Sequence, residues 1–142
     1  MKTDNSNLKA DKEILIAMVK DMTKSMTGKQ STMNWAENAL WFDIAPFVSK
    51  GIKPAVKMFD DVFIQLTSCD IEIMEHEIFI NESLAIVCSI QRMVVVMKDS
   101  TANTTRIVRQ TDCFEKQNGV WKLIHEHTSA PLGGDWDGTI VE

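Results

Sequence analysis

From about Cys69 to Ser129 the chain reads as strands joined by short turns, and nearly everything before Cys69 reads as helix. That order constrains the fold more than any other feature. Runs of helix followed by runs of strand make an α+β architecture, with an antiparallel sheet carrying helices on one face. The 142 residues fit one domain and leave no room for a second. At 44% apolar and 25% charged residues the chain is an ordinary globular one, long enough for a single core without metals or disulfides. The net charge of −5 argues against a nucleic-acid binder, which would need a basic face.

In the first half, Leu15, Met18, Val19, Met22 and Met26 recur at helical spacing, and Gly28 is the expected stop. A short second helix is expected from Ser31 or Thr32 to about Leu40, then an extended piece from Trp41 to Pro46. A third helix follows Gly51, with Pro54 in its first turn and Val56, Phe59, Phe63 and Leu66 along one stripe. In the second half, strands are expected over Ile71–Ile80, Leu84–Met97, Arg106–Lys116 and Trp121–Ser129. Asn118-Gly119 between two alternating runs is a strong hairpin signal. Residues 1–8 read as a polar, mobile lead-in, 9–132 as the domain and 133–142 as a tail. One strand departs from simple alternation. Leu84–Met97 carries apolar residues at both parities, so both its faces are expected to be covered, the second by another copy of the chain.

The chemistry-bearing residues cluster in the last hairpin. Strand periodicity puts Trp121, Leu123, His125, His127 and Ser129 on one face, and Arg109, Thr111 and Cys113 on one face of the partner strand. With Trp121 inward and no bulge, Arg109, Thr111, His125 and His127 are expected around one cavity. There they either satisfy one another in a core network or serve a ligand. His-x-His at strand spacing can bind zinc, but no third ligand is placed by the sequence, so no metal is assigned. His76, between Glu75 and Glu77, reads as a solvated strand residue. Asp43 follows Leu40-Trp41-Phe42, an apolar setting that raises a carboxyl pKa toward the range useful for proton transfer; the alternative is an Asp that pairs with Arg109 or receives backbone N–H groups. Trp41, Phe59 and Phe63 are the aromatic residues expected against a flat apolar ligand. The three cysteines, Cys69, Cys88 and Cys113, are odd in number and widely spaced. They read as small buried hydrophobes of a chain kept in a reducing compartment. No signal peptide or membrane span is visible, so a cytoplasmic location is expected.

Arg109-x-Thr111, Gly119-x-Trp121-x-Leu123 and His125-x-His127-x-Ser129-x-Pro131 together resemble the closing hairpin of SnoaL-like proteins of the NTF2-like superfamily, with Leu123 where the pattern has Ile. The order of the remaining elements agrees with that family over about residues 10–132. The resemblance implies a cystatin-like cone, in which a strongly curved antiparallel sheet wraps round three N-terminal helices and encloses a pocket. It further implies a small-molecule-binding protein and, as reaction classes, a cofactor-free isomerase, cyclase or hydrolase acting by proton transfer on a carbonyl compound. Ketosteroid isomerases share the fold and carry a general-base Asp before a Gly-led helix, as Asp43 precedes Gly51 here. Their oxyanion hole uses Tyr and a protonated Asp. This chain has no Tyr, so that mechanism does not transfer as it stands. On the resemblance, Asp43 and His127 are the candidate catalytic residues. Trp41, Phe59, Phe63, Arg109, Thr111 and His125 are the candidate substrate contacts. The partners implied are an apolar, carbonyl-bearing or carboxylate-bearing ligand and a second copy of the chain, with no cofactor, nucleic acid or membrane. The alternative is a non-catalytic ligand-binding or assembly domain of the same fold.

Overall fold

The computed structural model describes residues 5–44, 48–100 and 102–132. The expected tail at 133–142 and residues 45–47 of the extended piece lie outside these. Helix α1 (Asn5–Thr23) begins inside the stretch read as a lead-in and ends a turn earlier than expected. Its stripe buries Leu15 and Val19 completely, with Met18 and Met22 packed alongside. Helix α2 is a single turn (Gly28–Ser31), capped by the Thr27 hydroxyl, which accepts from Gln30 N. Gly28 therefore opens a helix instead of closing one. Its N–H donates to Asp60 Oδ1 at 2.6 Å, and a Cβ there would meet the Val56 carbonyl oxygen at 2.1 Å.

The expected second helix is largely a strand. Strand β1 (Trp35–Phe42) and the short β2 (Val48–Lys50) pair antiparallel, and Gly51 N donates back to Ala39 O at 2.8 Å. The local run Ala-Glu-Asn-Ala-Leu favours helix on propensity. It is overridden because β1 finds a sheet edge to pair with and buries Trp35, Ala39 and Trp41 on it. Helix α3 (Ile52–Phe63) follows Gly51, whose φ of 92° suits a glycine. The rest is a meander: β3 (Leu66–Ile80), β4 (Leu84–Met97), β5 (Asn103–Gln117) and β6 (Val120–Ser129). The β5–β6 turn is the expected two-residue one, with Asn118 and Gly119 both at positive φ.

These strands form one curved, open six-stranded sheet in the order β2-β1-β6-β5-β4-β3. The fold is the expected α+β cone, with two differences. Two of its strands lie between α2 and α3, and β1 runs parallel to β6, so the sheet is mixed. Irregular register interrupts β1, β3 and β6. Such bulges bend a strand and strengthen its twist, which lets the sheet curl around α1 and α3. The core lies inside that curl, where Leu15 and Val19 meet Val87, Phe114, Trp121 and Leu123. The Lys116 ammonium, 3.0 Å from Asp11, ties α1 to β5. No helix among the described residues is long and apolar enough to cross a membrane.

Candidate active site

The bulge in β6 decides which side chains enter the cone. Phe114 opposes Leu123, but Cys113 opposes His125, so Ile124 is an extra residue without a partner. One extra residue reverses the parity of everything after it. Trp121 and Leu123 face inward as expected. Beyond Ile124 the inward residues are Glu126 and Thr128, both buried, while His125 and His127 turn to the outer face. On β5 the inward residues are Val108, Gln110, Asp112 and Phe114, which leaves Arg109 and Thr111 outside.

The expected meeting of Arg109, Thr111, His125 and His127 with Trp41 and Phe63 around one cavity is therefore corrected. The four polar residues share the convex face of the sheet. His125 Nδ1 hydrogen-bonds Leu40 O at 2.9 Å, and the Phe42 ring lies edge-on to both imidazoles. His127 and Arg109 are exposed. Trp41, Phe59 and Phe63 do come together inside. Trp41 stacks on Phe59 at 4.3 Å, Phe59 stacks on Phe63 at 5.8 Å, and Trp35 meets the stack edge-on.

What the reversed parity brings inside is a pair of carboxyls. Register places Ser49, Trp41, Glu126, Asp112 and Val87 side by side across β2, β1, β6, β5 and β4. All five are buried; Asp112 is 0% exposed and Glu126 7%. Asp112 and Glu126 are register partners on β5 and β6 and both buried, so desolvation and their mutual charge penalise ionising both and favour a shared proton. Burial pushes Asp112 up to about 6, against the pull of its bonds to Gln110 and Glu126. Burial lifts Glu126 well above the usual carboxylate range, and the charges of Asp112 and Asp43 add to that. Asp43 itself is half-buried at the end of β1, and burial raises it although its carboxylate accepts from Ile44 N at 2.7 Å. The expectation for Asp43 as a carboxyl with a raised pKa agrees with this setting.

Around the pair, Gln110 Nε2 donates to both Asp112 oxygens, Thr128 Oγ1 donates to Gln110 Oε1, and Gln91 Nε2 donates to Ser89 Oγ. Three buried donors on the adjoining wall have no partner among the described residues: Trp35 Nε1, Trp41 Nε1 and Ser49 Oγ. A buried acid pair, a third carboxyl beside it, an aromatic wall and unmet donors are the groups that proton transfer at an acceptor oxygen calls for. Among the described residues no group of three side chains is placed to hold a metal ion. A separate open depression of about 450 Å³ lies elsewhere, between the end of α1 and β3, with Lys24, Asp70, Glu72 and Arg92 on its walls.

Asp112 and Glu126 were not singled out by sequence reasoning, which counted parity from Trp121. A signal was present in β5, where Asp112 shares parity with the apolar Val108 and Phe114.

Comparison with known structures finds this fold repeatedly. An NTF2-like protein of unknown function from Pseudomonas putida KT2440 is 17% identical, with a TM-score of 0.79 and 94% of each chain covered. An NTF2-like superfamily protein from Salmonella enterica serovar Typhimurium LT2 is 12% identical, with a TM-score of 0.81 over 92% of this chain and 97% of the other. Hexachlorocyclohexane dehydrochlorinase LinA-type3 from Novosphingobium barchaimii LL02 is 14% identical, with a TM-score of 0.79 over 92% and 96%. No curated protein matches the sequence. Residues 18–133 match the SnoaL-like domain, and with the helix-filled cone described above this makes the chain a member of the SnoaL-like family of NTF2-like fold.

Proposed function

We propose that this chain binds a small, largely apolar, carbonyl-bearing molecule inside the cone and moves a proton on it without a cofactor. The observation that carries the reading is the enclosed Asp112–Glu126 pair with Asp43 at its side. Two carboxyls in one low-dielectric site titrate apart, which gives one group that donates near neutral pH and one that accepts. The Trp41–Phe59–Phe63 stack supplies an apolar wall, and the unmet indole and hydroxyl donors suit a carbonyl oxygen. The same reading disfavours a carboxylate ligand, because three acidic groups already crowd the interior. Arg109, Thr111, His125 and His127 have no part in this site. A second copy of the chain is the proposed cover for the convex face on which they lie.

The test is exchange of the α-hydrogens of a panel of flat ketones for deuterium, with the indole N–H signals of Trp35 and Trp41 followed by NMR. Wild-type protein should catalyse exchange and shift those two signals. Asp112→Asn and Glu126→Gln should each cost on the order of 10²-fold in exchange. Binding without exchange would support the alternative of a non-catalytic ligand-binding domain. No shift with any ketone would reject the reading.

A further inference from the structure

Gln110 stands one inward step along β5 from Asp112, and its amide has a defined direction. Nε2 lies 2.9 Å from one Asp112 oxygen and 3.1 Å from the other. An amide N–H only donates, so both contacts call for acceptor oxygens, which an ionised carboxylate supplies in full. The far end of the amide is held as well. Gln110 Oε1 accepts from the hydroxyl of Thr128, which lies directly opposite on β6. On the other flank, opposite Gln110, Ser89 Oγ accepts from Gln91 Nε2 at 2.9 Å.

Glu126 has the opposite surroundings. Its neighbours in the interior row are Asp112 and Trp41, whose indole N–H makes no bond. The Asp112 carboxyl faces it across the register, and the further charge acting on it is Asp43, also acidic. Among the described residues no donor is placed on it, and both neighbouring charges are acidic. We infer that Gln110, braced by Thr128, is a positioning residue that keeps Asp112 ionised and places the shared proton on Glu126.

The other groups facing the pair do not disturb this assignment. Helices α1 and α3 present Leu15, Val19, Met58 and Phe59 to the core. From β4 come Val87 and Ser89, and His76 of β3 lies beyond Ser89 in the register. Arg106 is six residues away along β5, about 20 Å on strand geometry. The inference rests on the proposed function for what the proton is used for, and on geometry alone for where it sits. It gives the pair a direction: Glu126, next to Trp41 and Asp43, is the donor side, and Asp112 is the fixed anion behind it.

The experiment is a carboxyl ¹³C NMR titration of the full chain without ligand, from about pH 4 to pH 9. In wild type, Asp112 should ionise before Glu126, and Glu126 should still hold its proton at pH 7. Gln110→Leu should raise the Asp112 midpoint by about one pH unit and lower that of Glu126, because the carboxylate loses its two donated bonds. Thr128→Val should move both midpoints the same way by less. A folded Gln110→Leu protein with unchanged midpoints overturns the inference, as does a wild type in which Asp112 carries the proton at pH 7. If Gln110→Leu does not fold, unchanged midpoints in Thr128→Val overturn it. The expected midpoints combined with no ketone exchange would reject the proposed function and leave the proton placement standing.

Discussion

At the scale of single residues, the buried acid pair gives stability an uncommon dependence on pH. A carboxyl raised from its ordinary 3.8 to about 6 holds its proton in the folded protein after the unfolded chain has released it. The folded state therefore binds more protons across that interval, and stability falls as pH rises. The contribution of the pair is complete below about pH 4. It is lost as pH climbs through 6 and, for Glu126, further still. The Asp112 shift alone corresponds to a loss of about 3 kcal/mol. Glu126→Gln should remove much of this dependence, since an amide in that place donates to Asp112 without needing a proton. Urea unfolding at pH 5 and pH 8 checks it. Wild type should be clearly weaker at pH 8, and Glu126→Gln should exceed it there by ~1–3 kcal/mol while showing a flatter profile. A wild type whose stability rises from pH 5 to pH 8 would mean that carboxylates paired elsewhere outweigh the dyad.

At the scale of elements, one inserted residue in β6 exchanges two histidines for a glutamate and a threonine inside the cone. Deleting Ile124 should undo the exchange by sending His125 and His127 inward and Glu126 outward. Asp112 would then be buried without its partner, a loss of more than about 3 kcal/mol. Ile124→Ala keeps the residue count and should cost less, ~1–2 kcal/mol. Comparing the urea midpoints of the two variants tests the bulge, and equal losses would count against it. The same element shows what the sequence could disclose. The hairpin turn was legible because Asn118-Gly119 demands a particular backbone, and the meander was legible because its strands alternate. Strand β1 was not, because Ala36-Glu-Asn-Ala-Leu40 prefers helix locally and becomes strand through partners far away in the chain. The bulge was not, because an extra Ile in a strand leaves no mark in composition. For the site, Trp41, Asp43, Phe59 and Phe63 were visible through their apolar settings. Asp112 and Glu126 were hidden by a parity counted through the bulge.

At the scale of the whole molecule, the convex face of the sheet is the feature a lone chain does not account for. Phe79, Ile86 and Ile90 are 59%, 41% and 38% exposed there, and register sets Phe79, Ile86 and Cys88 together on β3 and β4, with Leu40 and Phe42 two strands away beyond Thr111, Cys113, His125 and His127. We take this exposed apolar strip as the proposed contact between two copies of the chain. Its charges suggest what covers it. Asp70, Glu72, Glu75 and Glu77 line the β3 side of that face, and Arg109 and His127 lie toward the β5–β6 side. A two-fold axis through the middle of the face would lay the acidic side of one copy over the basic side of the other. Such self-complementarity is what an isologous dimer requires. Light scattering should then give twice the 16.1 kDa chain mass at micromolar concentration. Ile86→Glu, set between Phe79 and Cys113 on that face and away from the interior, should give a folded monomer, because the register puts no cation beside the new charge when two sheets close over it. Arg109→Glu should weaken the dimer by removing the cation that meets the acidic rim, and raising salt should weaken the wild type in the same direction. A wild-type particle of 16 kDa would leave the apolar face to some other partner. A dimer that survives Ile86→Glu unchanged would place the interface elsewhere on the molecule.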